Sequence, residues 1–195
     1  MQACAMQLWG TDDLSDRTVA IQGCGSTGYY LAENLHAAGA RLIVCDVDHA
    51  SARKVSDRFG AKTVEAAEIF AVQADVFAPC ALGGILNDET IPRLKVEIVV
   101  GSANNQLQDD SHGETLAQLG ILYAPDYVAN SGGIINGCRE LLGWNESDTT
   151  QKISGIYGRM QSLLELAERE GISPFKAADA LARKLIADAT RGRAE

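Results

Sequence analysis

The chain has 195 residues, with 17 Lys+Arg against 26 Asp+Glu and a formal net charge of −9. That length holds one domain, or one with a small appendage; the acidic excess argues against a nucleic-acid backbone, which needs a basic stripe, and against an anionic membrane surface. Apolar residues make up 46%, enough for a core, no run of ~18 apolar residues is present to span a bilayer, and residues 1–7 lack the basic and long apolar parts of a signal peptide, so a cytoplasmic location is expected.

Cysteines stand at 4, 24, 45, 80 and 138, an odd number at irregular spacing with no C-x-x-C pair. They read as reduced, mostly buried thiols of a cytosolic protein, and no metal site is expected. Along the chain, short β-branched runs alternate with helical patterns. The apolar run 18–21 predicts a strand, and residues 26–38 a helix. A second strand is expected over 42–45 and a second helix over 49–59. Further strands are expected at 75–77, 97–100 and 121–123, with a helix over 115–119. Continuous apolar strands suit a sheet buried on both faces, and strand–helix–strand repetition predicts parallel pairing with helices on either side.

The last third changes character. Ile153, Ile156, Tyr157, Met160, Leu163, Leu164 and Ala167 recur at helical spacing over about 151–170. Gly171 ends that helix, and Ser173 as N-cap with Pro174 at the first helical position opens another. The expected division is a dinucleotide-binding domain over 1–145 and a two-helix tail over 146–195, closing over the sheet or a partner.

Ile21-Gln22-Gly23-Cys24-Gly25-Ser26-Thr27-Gly28 contains G-x-G-x-x-G. The motif is weak alone, but here it follows a strand and opens a helix. Gly23 permits the tight turn, Gly25 lets a pyrophosphate approach the backbone, and Gly28 lets helix and strand pack closely. The free N–H groups at the helix start, including those of Ser26 and Thr27, then hold the phosphates. Asp46 falls 21 residues after Gly25, followed by Val47. A carboxylate there accepts from the adenosine ribose hydroxyls and repels a 2′-phosphate, so the expected cofactor is NAD rather than NADP. Arg53 and Lys54 weaken that preference slightly. The fold expected is α/β, a Rossmann-type doubly wound, mostly parallel sheet.

Between residues 75 and 133 the text becomes more specific. Asp75-Val76-Phe77-Ala78-Pro79-Cys80-Ala81-Leu82-Gly83-Gly84 is followed by Leu86-Asn87-Asp88-Glu89-Thr90-Ile91-Pro92, then Gly101-Ser102-Ala103-Asn104-Asn105-Gln106-Leu107, then Tyr123-Ala124-Pro125-Asp126-Tyr127-Val128-Ala129-Asn130-Ser131-Gly132-Gly133. In this order the motifs resemble the cofactor domain of the Glu/Leu/Phe/Val amino-acid dehydrogenases, the leucine dehydrogenase branch above all, over the whole chain. The resemblance implies an NAD-dependent oxidative deamination of an L-amino acid, branched-chain or otherwise apolar, to its 2-oxo acid. It further implies that Cys80, Ala81, Leu82, Ala103, Asn104 and Asn105 line the nicotinamide. Asn104, Asn130, Gly132 and Gly133 would lie on the substrate side.

Each of these residues has a plainer reading. Asn104 and Asn105 can satisfy loop backbone, Gly132-Gly133 can be a tight turn opening a helix, and Cys80 reads as a packed thiol rather than a nucleophile. His36, His49 and His112 read as solvated or structural. The resemblance also implies a substrate domain ahead of the cofactor domain, bearing catalytic lysines and a catalytic aspartate. No segment of these 195 residues matches it, and none of Lys54, Lys62, Lys95, Lys152, Lys176 and Lys184 lies in a motif that places it over a nicotinamide. No catalytic residue is therefore nominated.

Smaller departures from the family are Ser26-Thr27 for Asn-Val, Cys45 for Thr, and Gly137-Cys138-Arg139 in place of small apolar residues. Arg139 either alters which side chain is accepted or faces solvent. Three uses follow: a cofactor half completed by further sequence or another polypeptide, a stand-alone NAD-binding module, or a diverged reductase on another small substrate. Homo-oligomerisation is expected, because a cleft face lacking its partner domain exposes apolar surface.

Overall fold

Six short strands pair in parallel throughout, in the order β3-β2-β1-β4-β5-β6. They are β1 (Thr18–Gln22), β2 (Arg41–Cys45), β3 (Lys62–Thr63), β4 (Val76–Pro79), β5 (Ile98–Val99) and β6 (Leu122–Tyr123) in the computed structural model, which describes residues 1–191. The helices are α1 (Gln2–Trp9), α2 (Ser26–Ala37), α3 (His49–Phe59), α4 (Ser111–Gln118), α5 (Asp126–Ala129), α6 (Gly132–Gly137), α7 (Glu146–Glu170) and α8 (Pro174–Arg191). Two 3-10 turns, Ile69–Ala71 and Ile91–Arg93, lead towards β4 and β5.

Strands β1, β2, β4 and β5 bury residues on both faces, which is why they read as unbroken apolar runs. Val19 and Ile21 of β1 join a core layer with Cys4 of α1, Leu35 of α2, Val55 of α3 and Leu163 of α7. Ala20, between them, points to the other layer, with Phe77, Ile91, Val99 and Leu116 of α4. The sheet is thus doubly wound, with α1, α2, α3 and α7 against one face and α4 and the 3-10 turns against the other. Phe77 has no exposed surface; burial of such a side chain stabilises by about 1.5–3 kcal/mol.

Local signals set several helix limits. Asp48 caps α3 by accepting from the Ala50 N–H at 3.0 Å, and Gly60 ends it. The expected 49–59 helix is therefore found with those limits. The helix expected from about 151 begins at Glu146 instead. Asn145 accepts from the Asp148 N–H at 2.9 Å while Asp148 accepts from the Asn145 N–H, a capping box that the apolar periodicity does not reveal. Likewise α4 begins at Ser111, not 115. β3 carries two exposed residues and no apolar pattern, and the sequence reading did not include it.

The C-terminal helices share the core of the sheet. Met160, Leu163, Leu164 and Ala167 of α7, with Ala177 and Ala178 of α8, lie in the same layer as β1. Phe175 of α8 packs into the opposite layer. Ser173 accepts from the Lys176 N–H at 3.2 Å, the cap the Ser-Pro pair predicts. α1 is pinned by Trp9, whose Nε1 donates to Glu97 at 2.8 Å and whose ring lies 3.9 Å from the Arg17 guanidinium carbon. No helix among the described residues is long and apolar enough to cross a membrane.

Candidate cofactor cleft

In this strand order the connections diverge between β1 and β4, and ligands of open α/β sheets bind outside the carboxyl ends of the strands at that point. Gly23-Cys24-Gly25 leaves β1 there and runs straight into α2. Gly23 has φ 102°, and a Cβ on it would lie 2.8 Å from that of Ala81. A Cβ on Gly28 would stand 2.0 Å from the Gly23 carbonyl oxygen, so the first turn of α2 can press on the loop only with glycine there. At Gly25 the contrast is complete: a Cβ would meet no protein atom within 4 Å. It would instead project into open space at the start of α2, where the first N–H groups have no helical acceptor. Those residues fit a diphosphate, whose oxygens match free N–H donors at the positive end of a helix.

Asp46 follows β2 directly and is tied to the same turn. One carboxylate oxygen accepts from the Cys24 N–H at 2.6 Å, the other from the Asp48 N–H at 2.9 Å. An ionised carboxylate has about four lone-pair positions, so two remain for hydroxyls. Val47 beside it is 88% exposed, and Leu82, on the loop after β4, is 77% exposed. The two bare apolar side chains thus follow β2 and β4, the strands on either side of β1.

Three thiols surround the turn. Burial pushes Cys24 up to about 12, with the Asp46 charge adding to it. Burial pushes Cys45 up to about 11. Burial also raises Cys80, against the pull of its Ser102 hydrogen bonds. Thiols held this way stay protonated at neutral pH, and a thiol is a poor nucleophile. The packed-thiol reading of Cys80 is the one this environment supports.

On the β5 side the chain closes a turn at residues 103–106. Ala103 N–H donates to the Pro79 carbonyl at 2.9 Å and Gly84 N–H to that of Asn105 at 2.7 Å. Asn105 adopts φ 51°, the left-handed region that asparagine tolerates. Asn130, from the end of α5, donates through Nδ2 to the Asn104 Oδ1 at 2.7 Å. Between these loops, α2, α6 and α7 lies a cleft of about 850 Å³.

Of the residues expected from the sequence, Thr27, Asn104, Asn130, Gly132 and Gly133 line that one cleft. Gly23, Gly25, Ser26 and Gly28 form the turn beside it and its helix start, with Asp46, Cys80 and Ala81 against them; Val47 and Leu82 follow Asp46 and Ala81 in the chain, and the Ala103 N–H binds the Pro79 carbonyl at the end of β4. Asn105 departs from the group and opens onto a separate groove with Tyr123, Tyr127 and α8. Gly132-Gly133 do open a helix, α6, while still facing the cleft. Arg139 is exposed. His112 is buried; its Nδ1 accepts from the Asp109 N–H at 3.0 Å and its Nε2 lies 3.2 Å from Asp88, a structural role. Sequence reasoning missed the apolar wall of the cleft, Tyr30, Ile134, Ile156 and Met160. It also assigned nothing to Asp126 and Gln106, which fix the 103–106 turn; a carboxylate right after Pro125 was the only signal.

A doubly wound parallel sheet with this glycine turn at its switch point is the architecture of a dehydrogenase cofactor domain. The model of the Glutamate/Leucine/Phenylalanine/Valine dehydrogenase family matches residues 2–194, and the chain belongs to that family. Leucine dehydrogenase of Bacillus cereus is 45% identical over 193 residues, covering 99% of this chain and 53% of that protein. L-tryptophan dehydrogenase of Nostoc punctiforme is 40% identical over 196 residues, covering 100% and 56%. The crystal structure of the L-tryptophan dehydrogenase from Nostoc punctiforme superposes with a TM-score of 0.93 at 41% identity, covering 96% of this chain and 57% of that one. The hetero-hexameric glutamate dehydrogenase of Thermus thermophilus, at 23% identity and a TM-score of 0.74 over 97% of this chain and 50% of that one, shares the fold. The chain spans about half the length of the curated relatives it matches.

Proposed function

We propose that this chain is the cofactor half of an NAD-dependent dehydrogenase that deaminates an apolar L-amino acid to its 2-oxo acid. The observation that carries it is Gly25: the one position of the turn where a side chain would enter open space, at the free N–H end of α2. The cofactor supplies the hydride acceptor for the C–H bond of the amino acid. In this reading Ser26 and Thr27 N–H groups hold the diphosphate, and the two unused acceptor sites of Asp46 take the adenosine ribose hydroxyls. Cys80, Ala81, Leu82 and Ala103 flank the nicotinamide, and the Asn104 amide donates to it. Asn130, Gly132 and Gly133 form the substrate wall, continued by Ile134 and Ile156. Those apolar side chains support an apolar rather than an acidic amino acid.

Among the described residues that line the cleft there is no Lys, His, Asp or Glu. Deamination needs a proton acceptor within hydrogen-bond reach of the substrate. We therefore assign that group to sequence beyond this chain or to a partner polypeptide. Self-association through α8 belongs to the same proposal.

The test is titration of the chain with NAD⁺ and NADH by calorimetry. Saturable binding is expected, and Gly25→Val should weaken it by about a hundredfold, because a branched side chain occupies the diphosphate position. Equal affinity in that variant would refute the placement of the diphosphate. Binding by wild type, with no reduced cofactor formed when branched amino acids are added, would mark the isolated chain as a binding module.

A further inference from the structure

We infer that Asp126 is a positioning residue: its buried carboxylate sets the turn of residues 103–106 and thereby aims the Asn104 amide at the nicotinamide carboxamide. The inference rests on the cofactor reading above. Asp126 is 8% exposed and has no ion-pair partner among the described residues. Burying an unpaired carboxylate is costly unless hydrogen bonds replace its water. Here two main-chain donors do so: Gln106 N–H at 3.0 Å to Oδ2, and Tyr127 N–H at 2.7 Å to Oδ1. One carboxylate thus joins the loop after β5, which carries Asn104, to the start of α5, whose end carries Asn130.

The turn itself has little freedom once that link is made. Gln106 is fully buried, and its Nε2 donates to the Ala103 carbonyl at 3.0 Å, closing the four-residue turn by a side chain. Gly83 presses on its other side, where a Cβ would lie 2.6 Å from the Asn104 carbonyl oxygen. Asn104 is therefore held at its backbone from both sides. Its side chain is held by Asn130, whose Nδ2 reaches Asn104 Oδ1 at 2.7 Å and the Ala103 carbonyl at 3.4 Å. The Ala103 carbonyl can only accept, which identifies that end of the Asn130 amide as nitrogen and the Asn104 atom facing it as oxygen. Asn104 consequently spends its oxygen on Asn130, and its NH₂ has no acceptor among the described residues. What complements a lone amide donor at the cleft is an acceptor oxygen, which the carboxamide of a nicotinamide offers.

Asp126→Asn keeps the shape but turns one acceptor into a donor, so either Gln106 N–H or Tyr127 N–H loses its partner. The experiment compares NADH with ADP-ribose, which keeps the adenosine, the diphosphate and both riboses but has no nicotinamide. Wild type should bind NADH more tightly than ADP-ribose. Asp126→Asn should weaken NADH by about tenfold and leave ADP-ribose within about twofold, and in an Asn104→Ala background the same change should cost NADH less than about twofold. Gln106→Met provides a second route to the same turn. It removes the Nε2 donor together with an Oε1 that is buried without a partner, and should give the same NADH-selective loss without a lower melting temperature. Equal losses for the two ligands would overturn the positioning role, as would an undiminished Asp126→Asn penalty without the Asn104 amide. ADP-ribose bound by wild type as tightly as NADH would overturn it too, while leaving the diphosphate site standing. Binding of neither ligand would instead bring down the cofactor reading.

Discussion

Asp46 serves the turn before it serves any ligand. Its hydrogen bond from Cys24 N–H fixes the loop at 2.6 Å, so the residue that would select the ribose also shapes the diphosphate position. Replacing it by alanine has two separable effects. Both NAD and NADP should bind less well, because the loop loses a charge-assisted hydrogen bond. On the proposed ribose contact, the ratio of NAD to NADP affinity should also fall by about tenfold, since the carboxylate proposed to accept the two hydroxyls and repel a 2′-phosphate is gone. Calorimetry with both cofactors reads the ratio, and an unchanged ratio would contradict the ribose contact. At this scale the sequence was informative where chemistry is local. Gly23, Gly25 and Gly28 have distinct roles that their spacing in a strand–turn–helix already implies. Asp126 and Gln106 meet across 20 residues of chain in a buried contact, and beyond the carboxylate that follows Pro125 the sequence carries no sign of it.

At the scale of elements, periodicity and punctuation worked together or failed together. β1, β2 and α3 were legible because apolar runs end at Gly23, Asp46 and Gly60. α7 starts five residues before its apolar periodicity does, because residues 146–150, Glu-Ser-Asp-Thr-Thr, are polar and only the capping box of Asn145 and Asp148 marks the start. α5 and α6 are short and poor in buried residues, and α6 is half glycine, so no pattern could form. α8 carries an asymmetry with a consequence. Phe175, Ala177 and Ala178 are packed, yet Leu185 and Ile186 further along are 61% and 67% exposed. Two such neighbouring side chains on one helix favour association with a second copy. Sedimentation of the wild-type chain should show a dimer or larger species, and Leu185→Glu/Ile186→Glu should shift it to monomer with the melting temperature retained. A wild-type monomer, or an assembly indifferent to both charges, would contradict this interface.

At the scale of the molecule, the strand order alone locates the site. Crossing from β1 to β3 on one side and from β4 to β6 on the other opens a gap above the β1–β4 boundary. The glycine turn, the Cys80–Gly84 loop and the 103–106 turn all project there. The architecture was expected from alternating strands and helices, and the sheet is parallel throughout rather than mostly so. The cleft offers donors, acceptors and apolar walls but, among the described residues, no Lys, His, Asp or Glu. That composition suits holding and orienting a cofactor. The most direct measurement is a crystal structure of the chain grown in saturating NAD⁺. Diphosphate oxygens within about 3 Å of the Ser26 and Thr27 nitrogens, over Gly25, are expected. A dinucleotide bound elsewhere, with that turn left bare, would contradict the cradle on which the proposed chemistry depends.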